Sequence, residues 1–425
     1  MDRNQIGRIG LNLVLAICIA GAGFYATVAV RSYLSHRFFK QGTYESTSRA
    51  VSLQPSNASY HALLSSKMLL VESDPVKSIE QAKTATLLNS YNAANWLDLA
   101  LAYHDFGHDD EALIATRKAI AVDPTTPDVA WRAGNMFLLA SDPTDALEQF
   151  AIVLQHSKTK TPLAVDLCWR VFHSVNTIEK ILPQNADSYL AFLHTLTEKH
   201  ETEAAKGIWA SIVANNYDFD FHRGLFYVNY LLGQKDVADA TTAWNVLLSK
   251  SKTIVASTDH ENLVFDPSVN QEILNAGFDW HYEPIGGVTL SLVDEHSLPE
   301  THSLCVIYDA ANGDAGFYQN IPVDVPGRYT LTAMTKSDNI QTANGPSVTV
   351  RDAFDGTTLA STPRAHGTSD WQSMEQSFSV GSETKLITIA IRRDPPGTMV
   401  KGQFCMKDPA IRKIEPAAPI SPAAQ

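Results

Sequence analysis

The chain has 425 residues, enough for two or three domains, and its 44% hydrophobic and 19% charged residues are typical of folded globular domains. Asp and Glu outnumber Lys and Arg by 46 to 33, and the net charge of −13, without a cluster of basic residues, argues against a nucleic-acid partner. The four cysteines form no C-x-x-C pair, so the sequence offers no zinc or thioredoxin-like motif.

A charge-free apolar stretch follows a short N-terminal flank, residues 1–8. As a helix rising 1.5 Å per residue, residues 9–30 would span about 33 Å, enough to cross the hydrocarbon core of a bilayer. The alternative is a cleaved signal peptide with its cleavage site at Ala20-Gly21-Ala22. Apolar character continues to Val30, which favours an uncleaved transmembrane anchor. Basic residues flank both ends, so the positive-inside rule does not fix the orientation.

A 34-residue period occupies the middle of the chain. The stretch NAANWLDLALAYHDFGHDDEALIATRKAIAVDP, residues 92–124, has a pattern formed by Trp96, Leu99, Ala100, Tyr103, Gly107, Ala112, Ala119 and Pro124. This pattern resembles the tetratricopeptide repeat, a pair of helices that pack through small residues. The same positions recur 34 residues before and after, and two degenerate copies follow. The resemblance implies a helical solenoid of five repeats over residues 44–250, with an irregular unit at 161–185.

An acidic, histidine-containing turn lies inside this repeat, in the stretch AYHDFGHDDEA at 102–112. Gly107 is placed at the turn between the two helices of the repeat. Asp109, Asp110 and Glu111 then begin the second helix, where unpaired backbone amides and the helix dipole favour negative charge. The cluster is therefore interpreted as a helix start rather than as a metal or catalytic site.

The concave groove of such a solenoid is its usual binding surface, and the resemblance implies that the first helix of each repeat lines it. Trp131 and Asn135 lie one turn apart, and an aromatic anchor beside an amide suits an extended peptide or a partner helix. Since Lys67 is the only cation there, the carboxylate clamp of some family members is not expected. The alternative for Trp131 is packing against the next repeat. The predicted groove residues are Tyr60, Leu63, Lys67, Leu97, Leu101, His104, Asp105, Asp128, Trp131, Asn135 and Leu138.

The pattern changes after residue 252 to short alternating segments separated by Gly, Pro, Asn and Asp. At least seven such segments within residues 255–414 predict a β-sandwich. The tail at 415–425 is rich in Pro and Ala and is predicted to be disordered.

The order of four segments, NAGFDWHYEP (275–284), FYQNIPVDVPGRYTLTAMTKS (317–337), GTSDWQSMEQSFSV (367–380) and the closing GQFCMKDPAI, resembles bacterial jelly-roll carbohydrate-binding modules and galactose-binding-like domains. The resemblance covers residues of about 262–414 and implies a glycan cleft lined by aromatic and amide side chains. It also implies one structural calcium, with Asp266 and Asp408 as candidate ligands. Core packing is the alternative role for each tryptophan. The candidate glycan-facing residues are Trp280, Gln319, Arg351, Trp371 and Arg392.

Two cysteines lie inside strands that are neighbours in the jelly-roll order. Cys305 and Cys405 are therefore candidates for a cross-strand disulfide. Such a bond would imply an oxidising compartment and thus a location outside the cytoplasm.

The sequence contains no phosphate-binding glycine loop, H-E-x-x-H or G-x-S-x-G motif, so it predicts a non-catalytic protein without a required cofactor. The resulting hypothesis is a bacterial envelope scaffold with one inner-membrane helix and its bulk in the periplasm. The groove would bind a protein partner, and the sandwich a polysaccharide or a second protein. Similarity to bacterial proteins of this architecture suggests a role in exopolysaccharide assembly or export. Two alternatives remain, a carbohydrate-active enzyme with unrecognised catalytic residues and a structural sandwich that binds nothing.

Overall fold

A computed structural model describes residues 3–254, 259–294, 302–311, 313–342, 344–393 and 397–414, with side chains described from residue 12 onward. The chain divides into two compact units, Met1–Thr195 and Leu196–Gln425. The first unit is helical, and the second contains the last helices together with two β-sheets. The predicted disordered tail, 415–425, lies outside the described residues. The domain bounds 44–250 and 255–414 stay predictions.

Helical hairpins follow one another along the first part of the chain. The second helices of three hairpins have their N-caps at Asp74, His108 and Asp142, which are 34 residues apart. This spacing confirms the predicted hairpin repeat. The helices are α1 (Arg3–Gln41), α2 (Tyr44–Leu53), α3 (Ala58–Leu70), α4 (Pro75–Leu88), α5 (Ala93–Asp105), α6 (Asp109–Val122), α7 (Pro127–Leu139), α8 (Pro143–His156), α9 (Thr161–Phe172), α10 (Val175–Glu179), α11 (Ala186–Glu198), α12 (Thr202–Ala214), α13 (Leu225–Gly233) and α14 (Val237–Lys250).

Small residues let the two helices of a hairpin approach closely. Ala100 of α5 and Ala112 of α6 are completely buried, and Gly134 of α7 faces the ring of Phe150 in α8. A Cβ at Gly134 would lie 2.9 Å from that ring, so glycine is required for this close approach. The alanine and glycine positions of the sequence pattern are therefore packing positions.

Helix α1 is one unbroken helix of 39 residues. Among the described residues, its segment Asn12–Gln41 is the one helix long and apolar enough to cross a membrane. The last turns of α1 pack against the helices that follow, whereas its apolar part is exposed. Ser35 is buried, and Phe39 packs its ring 4.9 Å from that of Tyr60 in α3. The C-terminal end of α1 thus belongs to the helical unit.

Two antiparallel sheets of five strands each form the C-terminal part of the second unit, with strand orders β1-β4-β9-β6-β7 and β2-β3-β10-β5-β8. This confirms the predicted all-α then all-β fold class. The hydrophobic core lies between the sheets. The strands are β1 (Trp280–Tyr282), β2 (Val288–Asp294), β3 (His302–Ala311), β4 (Phe317–Pro322), β5 (Gly327–Ile340), β6 (Ser347–Asp352), β7 (Thr358–Ser361), β8 (Gly367–Val380), β9 (Leu386–Arg392) and β10 (Val400–Lys413).

The last helices pack against the segment that leads into the sandwich, inside the second unit. Trp244 of α14 makes edge-to-face contacts with Phe265 and Phe278, at ring distances of 5.5 and 5.9 Å. Gly277, at φ +60°, lies against the same indole, and its N–H donates to Asn229 of α13 over 2.7 Å. A Cβ at Gly277 would lie 2.6 Å from the indole, so the segment leading into β1 needs glycine there.

Candidate functional site

An open apolar groove of about 190 Å³ lies on α5 and α7 of the first unit. The groove contains four of the positions that the repeat pattern predicts, Leu97, Leu101, Trp131 and Asn135. They share one surface because residues three or four apart lie on the same face of a helix. The full lining is Leu97, Leu101, Trp131, Arg132, Asn135, Met136 and Leu139.

Trp131 is half-buried and combines packing with groove lining. Its ring meets Phe150 of α8 edge-to-face at 5.7 Å, and the ammonium of Lys160 lies 6.0 Å from the ring centre. Lys160 also forms an ion pair of 3.0 Å with Asp128, another predicted groove residue. The indole is thus fixed from behind by the next helix while it lines the groove. A fixed aromatic side chain loses little conformational entropy when a ligand packs against it.

Polar groups border the apolar floor. The side-chain amide of Asn135 donates one N–H to the Trp131 carbonyl over 2.7 Å, and its carbonyl oxygen can accept a further hydrogen bond. Arg132 forms an ion pair with Asp98 of α5. This pair joins the two helices that carry the groove. Arg132 and Lys160 are contributions that the repeat pattern did not single out, since neither occupies a groove position of the family.

Other predicted groove residues lie elsewhere. Tyr60 is buried beneath α1, where its hydroxyl lies 3.5 Å from Ser35, so the prediction that it lines an open groove is wrong. The sequence pattern of one repeat cannot show that α1 packs there. Lys67 is half-buried on α3, outside the groove lining. His104 bonds the Asp109 carboxylate over 2.6 Å within its own hairpin, and Asp105 is exposed at the end of α5.

Two candidate glycan-facing residues belong to the core of the sandwich, which corrects the prediction for them. Trp280 is completely buried, stacks on Phe317 at 4.6 Å and donates its indole N–H to the Asp266 carbonyl over 2.9 Å. Gln319 is also completely buried, and its amide exchanges two hydrogen bonds, of 2.7 and 2.9 Å, with the backbone of Phe265. Both side chains point between the sheets.

Arg351 and Arg392 lie on the outward side of the β1-β4-β9-β6-β7 sheet, since their neighbours Val350 and Ile391 point into the core. Arg392 lies 3.5 Å from the carboxylate of Asp314. Burial raises the pKa of Asp314 above its usual value, and the Ala315 N–H, the charge of Arg392 and the Arg393 N–H partly offset this effect. Trp371 lies on β8 of the other sheet, so the two arginines do not share a surface with it.

A cavity of about 390 Å³ opens on the outer face of the β2-β3-β10-β5-β8 sheet and includes Trp371. Trp371 is half-buried, and the ammonium of Lys407 lies 4.4 Å from the centre of its ring. A disulfide joins Cys305 and Cys405, which are directly opposed on β3 and β10, and both cysteines line the cavity. The full lining is Val293, Ser303, Cys305, Lys336, Ser337, Asp338, Thr368, Trp371, Gln403 and Cys405.

The two candidate calcium ligands differ in burial and in their surroundings. The buried Asp266 carboxylate accepts the backbone N–H groups of Asn270 and Gln271 over 3.2 and 3.0 Å. Asp408 is exposed, with φ +50°, where the pairing of β10 with β5 is irregular. Within the described ranges, no group of three or more His, Cys, Asp or Glu residues is arranged to hold a metal ion.

A further cavity, of about 380 Å³, lies in the helical part of the second unit and has no counterpart in the sequence predictions. It is formed by segments 218–222 and 250–253. His222 bonds Asp220 over 2.6 Å and lies 3.4 Å from Glu272, and these carboxylates, Asp220 first, raise its pKa. Segment 218–222 leads into a short 3-10 turn, Phe221–Gly224, which has no repeat signature, so no sequence pattern predicts this cavity.

No protein-family model matches the sequence, and no curated protein matches it. Solved structures similar to the helical part include the PilF protein of Pseudomonas aeruginosa, with 19% identity, 45% of this chain and 92% of that chain covered, and a TM-score of 0.30. A tetratricopeptide repeat protein from Parabacteroides merdae has 13% identity, coverages of 53% and 94%, and a TM-score of 0.30. A structure described as CBM4 has 15% identity, coverages of 36% and 99%, and a TM-score of 0.27. At these values the likenesses identify no function for this chain.

Proposed function

We propose that the chain is a non-catalytic, membrane-anchored scaffold whose α5–α7 groove binds an extended peptide of a protein partner. The observation that carries this proposal is the open groove with Trp131 at its side and Leu97, Leu101 and Met136 in its lining. Aromatic side chains in such positions contribute most of the binding energy at protein interfaces.

The chemistry of the groove selects the kind of peptide. The apolar lining suits one large apolar side chain, and the Asn135 amide in the same lining offers a hydrogen-bonding group to a peptide backbone. Arg132 and Lys160 stand beside it, but both already form ion pairs with aspartates. The peptide is therefore expected to bind by its apolar side chain and its backbone rather than by a terminal carboxylate.

Truncation of the Trp131 side chain tests this proposal. Peptides selected from a random display library on the full-length chain are expected to lose about 30-fold or more in affinity with Trp131→Ala, because loss of a hot-spot residue costs about 2 kcal/mol or more. Trp96→Ala is the matched control, since Trp96 is a half-buried tryptophan of α5 outside the groove lining. Equal affinity of Trp131→Ala and the unchanged chain, with both folded by circular dichroism, would contradict the proposal.

The anchor of the scaffold would be α1, kept uncleaved. The apolar segment is exposed along its length, and the same helix continues into packed residues at Ser35 and Phe39. The Cys305–Cys405 disulfide supports an oxidising location for the sandwich, which for an inner-membrane protein is the periplasm. A role near exopolysaccharide assembly or export is part of this proposal and rests only on the architecture.

Glycan binding by the sandwich is the second candidate function, favoured by the cavity beside Trp371. Sugars stack on aromatic faces and need fixed polar partners for their hydroxyls, and Gln403, Thr368, Ser337 and Asp338 line the same cavity.

A glycan array probed with the full-length chain tests this second function. Trp371→Ala is expected to abolish retention on any glycan that the unchanged chain binds, because the aromatic face is lost. Arg392→Ala, on the outward side of the other sheet, is expected to retain binding. If the folded chain binds no glycan, the sandwich is a structural cap or a protein-binding module. If Arg392→Ala rather than Trp371→Ala loses binding, the site lies on the opposite sheet.

A further inference from the structure

The apolar part of α1 leaves the first unit at a defined edge. Helices α1 and α2 form an antiparallel hairpin with its turn at Gly42 and Thr43. Ser35 donates to the side chain of Gln54 over 3.0 Å, and Gln54 is the C-cap of α2. The apolar stretch that ends at Val30 therefore projects past the turn that joins α2 to α3.

The alternation of antiparallel helices places each turn between α2 and α8 at one of two edges. The anchor edge consists of the turns α2–α3 (54–57), α4–α5 (89–92) and α6–α7 (123–126). The opposite edge consists of the turns α3–α4 (71–74), α5–α6 (106–108) and α7–α8 (140–142). The hydrogen bonds between Ser65 of α3 and Ser78 of α4, on either side of the turn that joins the two helices, fit this antiparallel arrangement.

The two edges differ in charge. The anchor edge nearest α1 is uncharged, with the sequences QPSN at 54–57 and LLNSYN at 87–92. The more distant α6–α7 turn and the helix end beside it contain two acids, Asp123 and Asp128. The opposite edge is acidic in all three hairpins. Its acids, in the turns and in the helix ends beside them, are Glu72, Asp74, Asp105, Asp109, Asp110, Glu111, Asp142 and Asp145.

The anchor edge also exposes large apolar side chains. Tyr91 is 90% exposed and Leu87 is 84% exposed. The opposite edge also exposes large apolar side chains, and each of them lies within three residues of an acidic side chain: Leu70, Val71, Val76, Phe106 and Leu139. Apolar exposure alone therefore does not separate the edges. The anchor edge is distinguished by three features together: it exposes apolar side chains, it has no charged residues beside them, and the apolar part of α1 leaves the unit there.

We propose that the anchor edge lies on the surface of the membrane that α1 spans, with Tyr91 and Leu87 in the bilayer interface. This inference rests on the proposed uncleaved anchor. Tyrosine is enriched at membrane–water interfaces, and an anionic lipid surface repels acidic side chains, so the acidic edge faces away. Ser35 lies five positions after Val30, which is about 7.5 Å of helix and comparable to the roughly 5–8 Å thickness of one headgroup layer.

A depth measurement at single labelled cysteines tests the orientation. Cys18→Ser removes the exposed thiol, the pKa of the buried Cys168 is raised by burial to about 12, and Cys305 and Cys405 are bonded to each other. Added cysteines are therefore the sites that a thiol-reactive, environment-sensitive fluorophore labels at neutral pH. Tyr91→Cys reports the anchor edge, and Leu70→Cys, an exposed apolar position that is 72% exposed, is the matched reporter of the opposite edge.

The labelled full-length chain is reconstituted in vesicles of phosphatidylcholine and phosphatidylglycerol that contain spin-labelled lipid. At Tyr91→Cys we expect a blue-shifted emission and quenching by the spin label, and at Leu70→Cys neither. Equal emission at both sites, or quenching at Leu70→Cys alone, in a chain that floats with the vesicles overturns the orientation while the anchor stands. A chain that alkaline carbonate releases from the vesicles overturns the anchor itself, and the orientation with it.

Discussion

Replacement of Trp280 by alanine is expected to lower the free energy of unfolding of the sandwich by about 3–5 kcal/mol, the usual cost of truncating a buried tryptophan. The side chain is completely buried, stacks on Phe317 and donates to the Asp266 carbonyl. Its loss would leave a cavity beside β4 and an acceptor without its donor. Hydrogen-exchange mass spectrometry on peptides from β4 and β9 measures this loss locally, without assuming that the whole chain unfolds in one step.

The second tryptophan of the sandwich is the control for this prediction. Trp371 is half-buried on β8, where Lys407 lies over its ring. Trp371→Ala is expected to change the free energy of unfolding by about 1 kcal/mol or less, because little of the ring is enclosed by the core. Similar losses in the two variants would mean that burial does not distinguish these residues, and a tolerated Trp280→Ala would show that Trp280 is not a core residue.

The two tryptophans show where sequence patterns distinguish core from surface and where they do not. In FYQNIP, Phe317, Gln319 and Ile321 alternate with more exposed residues, so the period of two already places Gln319 on the inward face. The resemblance to glycan-binding modules, in which amides line the cleft, predicts the outward face for Gln319, and the structure contradicts it. Trp280 begins a strand of 3 residues directly after a turn. A strand this short shows no alternation of buried and exposed residues, so its sequence does not predict whether Trp280 points inward or outward.

The helical part was more predictable because its information is local. Helix starts, the glycine turn at Gly107 and the alanine contacts all lie within one 34-residue unit, and a groove position on a helix follows from the 3.6-residue period. Leu97, Leu101, Trp131 and Asn135 consequently lie together. Tyr60 was misplaced because its surroundings are set by α1, a helix outside the repeat pattern that covers it.

Removal of the Cys305–Cys405 disulfide is expected to lower the free energy of unfolding of the sandwich by about 2–5 kcal/mol. The bond joins residues 100 positions apart, and in the chain-entropy model a closed loop of that length contributes about 4.7 kcal/mol by restricting the unfolded chain. It also links β3 to β10, the two strands between β2 and β5 in their sheet. The double variant Cys305→Ala, Cys405→Ala avoids burying new hydroxyl groups, and hydrogen exchange in β3 and β10 measures the loss.

Two controls separate the bond from its side chains. Cys18→Ala removes an exposed thiol outside the sandwich and is expected to leave exchange in β3 and β10 unchanged. Chemical reduction of the unchanged chain should reproduce the exchange of the double variant, because it breaks the same cross-link while keeping both sulfur atoms. If reduction adds no hydrogen mass, the two thiols are not bonded in the purified protein, and the support for a periplasmic sandwich is lost. If the bond is present but its removal leaves exchange unchanged, strand pairing alone holds β3 and β10 together. The disulfide would then shape the cavity that it lines without stabilising the fold.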